Sequence, residues 1–340
     1  MAALINPLPV AAQTGLVDPM PRWALAGAFG TPRLFLRSLL EDRPRGAGQA
    51  VRHVASTLGL GADVEHGQPK FSFGLRPLVV YDSNINGGLP FDTIALGAFR
   101  FTVDEDTRAR AALTIGARAS AAVDIPLAQG LMANAFAQIG RRHAPEYDSN
   151  ITDRSIGGCL RYTADSWRYV DGCLSKADLE NERSKARSRM RSLSVGHLFA
   201  STSATHELSV TLMQQRIDGQ EQNRIRLASR SMIRDFGAVD AGVTLGERIE
   251  GHLKPTFAAD LGYGAIVRGR PTRVSVSYAE ERGGTLFGRN RSESTLTIRA
   301  SRTLARNLMA YVSHKSTSSS IPEFDNESWG FGLEYSGFRW

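Results

Sequence analysis

Between Phe71 and Trp340 the chain alternates apolar and polar residues in about fourteen segments, each roughly ten residues long. In one of them Leu208, Val210 and Leu212 alternate with polar residues. A period of two is that of a β-strand, in which successive side chains point to opposite faces. Each segment therefore predicts a strand with one apolar face and one polar face.

The surroundings of the apolar face distinguish two architectures. In a soluble β-sandwich the apolar face packs into a core, whereas in a transmembrane barrel it faces lipid. Three features favour the barrel: the segments exceed the usual strand length of about five to six residues, short and long connections alternate, and the polar face carries charges that a dry core does not tolerate. We predict an all-β fold, an antiparallel transmembrane β-barrel of about fourteen strands.

Turn residues divide this region into individual strands. The predicted ranges are 70–82, 107–125, 131–143, 152–163, 167–179, 188–200, 204–217, 224–235, 238–249, 254–268, 272–283, 291–303, 307–317 and 328–340. The segment 83–106 fits either a strand pair or a folded loop. Short turns lie on the periplasmic side of such barrels and long loops outside, so we predict the outer membrane of a Gram-negative bacterium.

The chain ahead of the barrel has a different pattern. Across residues 13–68, apolar groups around Trp23, Leu34 and Val54 recur at helical spacing and are separated by proline and glycine. We predict two or three short periplasmic helices in 13–68, followed by a barrel domain over 69–340. Residues 1–12 end in a small-residue cleavage pattern and are interpreted as the remnant of a signal peptide.

The balance of charge is basic, with a net charge of +7. The arginines are scattered through strands and loops, which favours a solvated lumen and loops facing anionic headgroups over a nucleic-acid site. Outer-membrane lipid is the expected partner, and no nucleic acid is expected.

The two cysteines, Cys159 and Cys173, lie symmetrically about Ser166. A hairpin turning there places them opposite each other on neighbouring strands, close enough for a disulfide in an oxidising compartment such as the periplasm. Two buried free thiols are the alternative.

Candidate catalytic chemistry is sparse. Phosphate-binding glycine loops, HExxH, CxxC and GxSxG motifs are absent, and the seven histidines are dispersed. His314 and Ser316 share a strand face, with Glu323 or Glu327 nearby in sequence, and resemble the His-x-Ser of outer-membrane lipid deacylases. Ordinary polar residues near the barrel rim are the favoured alternative. We predict that the protein is not an enzyme and has no cofactor or metal.

The C-terminus ends in aromatic residues. Phe338 and Trp340 resemble the signal that the barrel-assembly machinery recognises in a final strand. Tyr335 and Phe331 are one residue out of phase with them, and a bulge at Gly337 would reconcile the two sets.

Two motifs at the ends of the barrel carry a family resemblance. The first is Tyr81-Asp82-Ser83-Asn84-Ile85-Asn86, followed by Leu89-Pro90-Phe91, and the second is Ser320-Ile321-Pro322-Glu323-Phe324. Together they are similar to the surface lipoprotein assembly modifiers, the Slam proteins. That resemblance implies a fourteen-stranded barrel behind a periplasmic helical-repeat domain, no cofactor, and a surface lipoprotein as client. Here about 55 residues precede the barrel, too few for a repeat array, which weakens the case for substrate capture.

Two functions follow from these patterns. The main interpretation is a barrel that aids translocation or display of surface lipoproteins, through its seam or its lumen. The alternative is a passive porin-like channel for small solutes. In that case residues 83–106 would form an inward constriction, with Asp92, Asp104, Glu105 and Asp106 facing lumenal arginines.

Overall fold

The computed structural model describes residues 17–60, 68–96, 99–286, 288–305, 307–335 and 338–339. Its main sheet is antiparallel and closes on itself, because β1 pairs with both β4 and β16. The strands are β1 (Lys70–Asp82), β2 (Thr93–Leu96), β3 (Phe99–Thr102), β4 (Ala112–Ala128), β5 (Leu131–Ala144), β6 (Ser149–Thr163), β7 (Arg168–Glu180), β8 (Lys185–Ala200), β9 (Ala204–Ile217), β10 (Gln220–Ile233), β11 (Gly237–Gly246), β12 (Lys254–Val267), β13 (Arg270–Leu286), β14 (Arg289–Ala305), β15 (Leu308–Ser319), β16 (Asn326–Tyr335) and β17 (Phe338–Arg339).

The barrel has fourteen strands when β16 and β17 are counted as two parts of one terminal strand, as predicted. β2 and β3 form a separate hairpin within the connection between β1 and β4, so segment 83–106 contains the strand pair. The predicted second barrel strand, 107–125, begins too early. A short 3-10 turn occupies Glu105–Thr107, and β4 starts only at Ala112.

The two faces of the barrel wall differ in polarity. The outward residues of neighbouring strands form a continuous apolar belt, with Ile156, Leu174 and Leu193 exposed at 60%, 62% and 48%. A monomeric soluble protein does not expose an apolar surface of this extent. A closed antiparallel barrel with such a belt is the architecture of a Gram-negative outer-membrane protein, which confirms the predicted location.

The ends of the barrel also differ. On one side the strands are joined by short turns such as that between β8 and β9, and on the other side by longer connections such as that between β1 and β4. We call these the turn side and the loop side. The usual orientation of outer-membrane barrels places the turn side in the periplasm.

Ahead of the barrel, the described residues 17–60 contain three short helices: α1 (Arg22–Phe29), α2 (Pro32–Asp42) and α3 (Gly48–Thr57). Thr31 accepts a hydrogen bond from the Leu34 N–H at the start of α2, and Pro32 occupies the first helical position, where its missing N–H has no cost. Arg43 ends α2 in a left-handed conformation. In the part of the chain that the structure describes, no helix is long and apolar enough to cross a membrane.

Cys159 and Cys173 are paired residues of β6 and β7, and they form a disulfide. The bond therefore joins two adjacent strands within one hairpin of the barrel wall.

Candidate functional site

The inward face of the barrel carries opposite charges on strands that are separated by one intervening strand. Among the described residues, five ion pairs connect such strands: Arg118–Asp153 at 3.2 Å, Arg142–Asp82 at 3.5 Å, Arg226–Asp260 at 2.8 Å, Arg273–Asp240 at 2.6 Å and Arg299–Glu334 at 3.4 Å. The pairs lie on both sides of the lumen. Together they line it with charge around much of its circumference.

These lumenal charges keep contact with solvent. Arg118 and Asp153 are 33% and 21% exposed, and Arg226 and Asp260 are 33% and 31% exposed. Charges in a dry interior are costly even when they are paired, because pairing only partly offsets the loss of hydration. The exposed fractions therefore indicate a hydrated lumen.

Two further arginines of the inward face have no paired carboxylate in the part of the chain that the structure describes. Arg76 lies directly opposite Arg118 in the pairing of β1 with β4, and like charges in that arrangement repel. Arg224 donates to the neutral side chain of Gln215. Among the described residues, neither Arg76 nor Arg224 has a carboxylate within ion-pair distance.

The helices cover part of the turn-side mouth. Leu25 and Ala26 of α1 and Leu34 of α2 are buried against the wall. Their partners on the wall are Tyr169, Leu198, Met232, Ala238 and Ile266, which lie at the turn-side ends of β7, β8, β10, β11 and β12. These residues give one sector of the rim an apolar inner surface, and the helices occupy it.

Arg33 provides the main polar attachment of α2 to the wall. Its guanidinium donates to both carboxylate oxygens of Asp171, at 2.8 and 2.6 Å, and to the Thr163 hydroxyl at 2.9 Å. It also lies over the Tyr169 ring, 4.1 Å from the centroid. A two-pronged arginine–carboxylate contact fixes orientation as well as adding affinity.

Other bonds continue this attachment around the rim. Glu207 of β9 accepts hydrogen bonds from the Tyr169 hydroxyl at 2.9 Å and from the Thr31 hydroxyl at 3.0 Å. Arg22 donates to the Ser201 carbonyl at 2.6 Å. The Asp18 carboxylate accepts from the Gly269 N–H at 2.6 Å. The helical segment is thus bonded to turn-side residues from β6 to the turn that follows β12.

The loop-side mouth is narrowed by the connection between β1 and β4, residues 83–111, which we call the first loop. Ile85 is fully buried against Ala112, Ala144 and Ile151, inward-facing residues of β4, β5 and β6. The loop therefore folds into the barrel rather than away from it.

Asn86 organises the first loop. Its side chain is fully buried, donates to the Arg108 carbonyl at 2.7 Å, and accepts from the N–H groups of Arg110 at 3.0 Å and Gly88 at 3.2 Å. Asn84 adds a reciprocal pair of bonds with Gly88, at 2.9 and 2.8 Å. These side chains provide the backbone partners that regular secondary structure would otherwise supply.

The acidic residues of the first loop do not face lumenal arginines. Asp92 and Asp106 pair with the loop's own Arg108 and Arg110, at 3.4 and 2.6 Å. Asp104 accepts from the Asp106 N–H and caps the 3-10 turn that begins at Glu105. The predicted contact with lumenal arginines is wrong for Asp92 and Asp106, because arginines of the loop itself bind these two carboxylates.

The two sequence motifs, around Tyr81 to Phe91 and around Ser320 to Phe324, meet near the seam between β1 and β16. Tyr81 stacks on Phe331 across the seam, with ring centroids 5.1 Å apart. Phe91 makes an edge-to-face contact with Phe324 at 4.9 Å, and the Arg291 guanidinium covers the Phe324 ring at 3.4 Å.

Polar residues of the same motifs fix the backbone on both sides of the seam. The Asp82 carboxylate accepts a hydrogen bond from the Asn84 N–H at 3.1 Å, where the chain leaves β1 at Ser83. The Ser320 hydroxyl accepts from the Ser292 N–H at 3.0 Å, and Pro322 opens the short 3-10 turn that ends at Phe324.

His314 and Ser316 lie on the outward face of β15. His314 packs against Trp329, with ring centroids 4.6 Å apart, and its Nε2 is 4.0 Å from a Glu327 oxygen. Within the described ranges, no hydrogen bond joins His314 to Ser316. The arrangement therefore lacks the activated hydroxyl that a nucleophile requires.

The terminal strand shows a shift in pairing. Leu78 faces Glu334 and Leu75 faces Phe338, so three steps along β1 correspond to four steps along the terminal strand. The predicted bulge at Gly337, Trp340 of the assembly signal and residues 1–12 all lie outside the described residues, as does the Phe338 side chain.

Comparison with models of known protein families gives no match, and comparison with curated protein sequences gives none. Solved structures of outer-membrane barrels do match. OccAB4 of Acinetobacter baumannii has 10% sequence identity and a TM-score of 0.42, covering 80% of this chain and 98% of its own. OccK9 of Pseudomonas aeruginosa has 12% identity and a TM-score of 0.42, covering 79% and 98%. The β domain of the Bordetella autotransporter BrkA has 12% identity and a TM-score of 0.30, covering 80% and 99%. Values of this size concern the arrangement of strands and carry no argument about function.

Proposed function

We propose that the protein is a passive channel for small hydrophilic solutes, with a preference for anions. The observation that carries the proposal is the lumenal wall, where ion pairs such as Arg118–Asp153 and Arg226–Asp260 remain a fifth to a third exposed. A hydrated lumen lined with fixed charge passes ions and polar solutes and selects among them by sign. Among the described residues, Arg76 and Arg224 add positive charge to this wall without a paired carboxylate.

Both mouths of this path are narrowed, each by a different device. The first loop folds against the inner face of β4, β5 and β6 on the loop side, and the helical segment covers the sector from β7 to β12 on the turn side. A path between two partial covers favours small solutes over folded proteins. We therefore expect low conductance, with interruptions when either cover moves.

Planar-bilayer recording of the purified protein tests this proposal. We expect stable unitary steps in the current. In a gradient of potassium chloride, we expect a reversal potential whose sign indicates that chloride passes more readily than potassium. Replacing both Arg76 and Arg224 with glutamine should shift that potential toward the potassium side. Arg45→Gln, in the exposed turn between α2 and α3, is the matched control and should leave it unchanged. A folded, inserted barrel without steps would contradict the channel function.

A second candidate is the assembly-modifier function suggested by the family resemblance. The observation that favours it is the seam. There Leu78 pairs with Glu334 and Leu75 with Phe338, so the register shifts by one residue along the ladder. An irregular ladder is a place where a barrel wall opens readily and offers strand edges to an incoming chain.

Surface shaving distinguishes the two candidates. Intact wild-type and deletion cells are treated with protease, and the released peptides are identified. Loss of particular lipoproteins from the surface, with their cellular amounts unchanged, would support the assembly function and name the client. An unchanged set of surface lipoproteins, together with unitary current steps in bilayers, would support the channel function instead.

A further inference from the structure

A group of basic residues lies on the outward face of the barrel, above the apolar belt on the loop side. We call it the outer basic patch: Arg154 of β6, Lys176 of β7, Arg187, Arg189 and Arg191 of β8, and Arg216 of β9. On β8 these arginines alternate with smaller inward residues and continue the same face as Leu193 and Val195, which are exposed to lipid. The patch therefore faces out of the barrel, not into the lumen.

The height of the patch follows from the strand register. Leu174 of β7 is paired with Arg191, and Leu193 is paired with Leu212 of β9. Arg189 lies four residues beyond Leu193, about 13 Å along the strand, and strand tilt reduces this to roughly 10 Å of height. This is the level at which lipid headgroups meet the barrel, directly above the acyl chains.

Three of these cations are in one row across adjacent strands. Lys176 is paired with Arg189, and Arg189 is paired with Arg216. Like charges directly opposite each other on neighbouring strands destabilise a sheet. In the part of the chain that is described, Arg189, Arg191 and Arg216 have no carboxylate within ion-pair distance. A bound anion between the strands would remove the repulsion.

The nearby carboxylates neutralise the row only in part. Asp178 binds Lys176 at 3.2 Å, and Glu180 binds Lys185, outside the row, at 3.2 Å. Glu221 is paired in register with Arg216, outside ion-pair distance. Within the described chain, Arg189 and Arg216 therefore keep their positive charge unpaired.

A shallow cleft adjoins the row on the loop side. It has a volume of about 260 Å³ and lies between β6, β7 and β8, where Arg154, Lys176 and Arg187 meet Thr152 and Asp178. Arginine and lysine provide phosphate-binding groups, and threonine and aspartate provide partners for sugar hydroxyls. The cleft has room for a phosphate together with part of a sugar ring.

We infer that the outer basic patch binds the phosphorylated sugar headgroup of an outer-leaflet glycolipid of the lipid A class. The acyl chains lie on the belt formed by Leu174, Leu193 and Leu212. One phosphate bridges Lys176, Arg189 and Arg216. The sugar extends into the cleft beside Arg154. The apolar belt lies directly below the cations and would contact acyl chains. A free anion or a soluble protein has no acyl chains, so a lipid fits both parts of the surface better.

Native mass spectrometry of the full chain in detergent, titrated with bisphosphorylated lipid A, tests this inference. Each basic residue near a membrane surface adds to the free energy of binding an anionic lipid. Replacing Lys176, Arg189 and Arg216 with glutamine should therefore weaken lipid A binding about 100-fold. Arg189→Gln alone should weaken it about fivefold, which keeps the test valid if the triple variant folds poorly. Lipid A from which both phosphates are removed should bind to the wild type no better than to the triple variant.

The matched control removes three charges from the turn side, where the opposite leaflet lies. Arg45, Arg52 and Arg270 are exposed there, and their replacement by glutamine should leave lipid A binding unchanged. Equal binding by the two triple variants would overturn the inference. Displacement of lipid A by equimolar inorganic phosphate would also overturn it, because the site would then be a general anion site rather than a lipid site.

Discussion

Arg33→Met should release the helical segment from the barrel wall. Arg33 makes three hydrogen bonds, two of them to Asp171, and both charged side chains are largely buried, at 10% and 18% exposure. Removing one partner of a buried ion pair costs about 3–5 kcal/mol because the other charge is left unpaired. Asp171 retains access to the lumen, so we take the lower value, about 3 kcal/mol, which raises the undocked population about 100-fold.

Chymotrypsin cleavage after Trp23 measures that population. When opening and closing are fast relative to cleavage, the cleavage rate follows the fraction of molecules in which the segment is undocked. Arg45→Gln, in the same segment with an exposed side chain, is the control for general effects of losing a charge. Combining Arg33→Met with Asp171→Asn should restore part of the docking free energy, because the unpaired charge is removed. Cleavage of the Arg33 variant at the rate of the control would refute this account of the attachment.

Three further changes probe other parts of the structure. Asn86→Ala leaves several backbone groups of the first loop without partners, and protease added to intact cells should cut that loop faster than in the wild type. Gly196→Ala places a methyl group 2.3 Å from the Tyr169 ring, so heat-modified gel mobility should show unfolding at a lower temperature. Replacing Cys159 and Cys173 with serine should lower the free energy of unfolding by about 2–3 kcal/mol, measured by urea titration in liposomes.

Strand patterns were the part of the fold that the sequence specified best. β9 begins and ends where its alternation predicts, at Ala204 and Ile217, because each residue's face is fixed by lipid on one side and water on the other. The beginning of β4 was misjudged. Arg110 lies in a run that alternates like a strand, but its N–H bonds to Asn86, 24 residues earlier, and the chain remains in the loop. Such a contact has no local signal.

The sequence allowed less of the candidate site than of the fold to be predicted. Helical spacing indicated α2, yet the spacing does not reveal that Arg33 binds Asp171, which is 138 positions further along. The basic row on the outer face did have a signal, since Arg187, Arg189 and Arg191 alternate with period two. That period shows a common face, but the height of the face relative to the membrane follows only from the register of the neighbouring strands.

The position of the helices also sets an order of events during biogenesis. The segment is made before the barrel, yet many of its contacts lie far along the chain, between β6 and the turn that follows β12, and Asp18 bonds to Gly269, 251 residues later. Contacts of such sequence separation form only after the intervening chain is in place. The segment therefore leaves the ribosome before the barrel strands but docks after most of them are in place. A docked segment marks a barrel whose wall is complete from β6 to β12, and an undocked one would expose Leu25 and Leu34 to periplasmic chaperones and proteases.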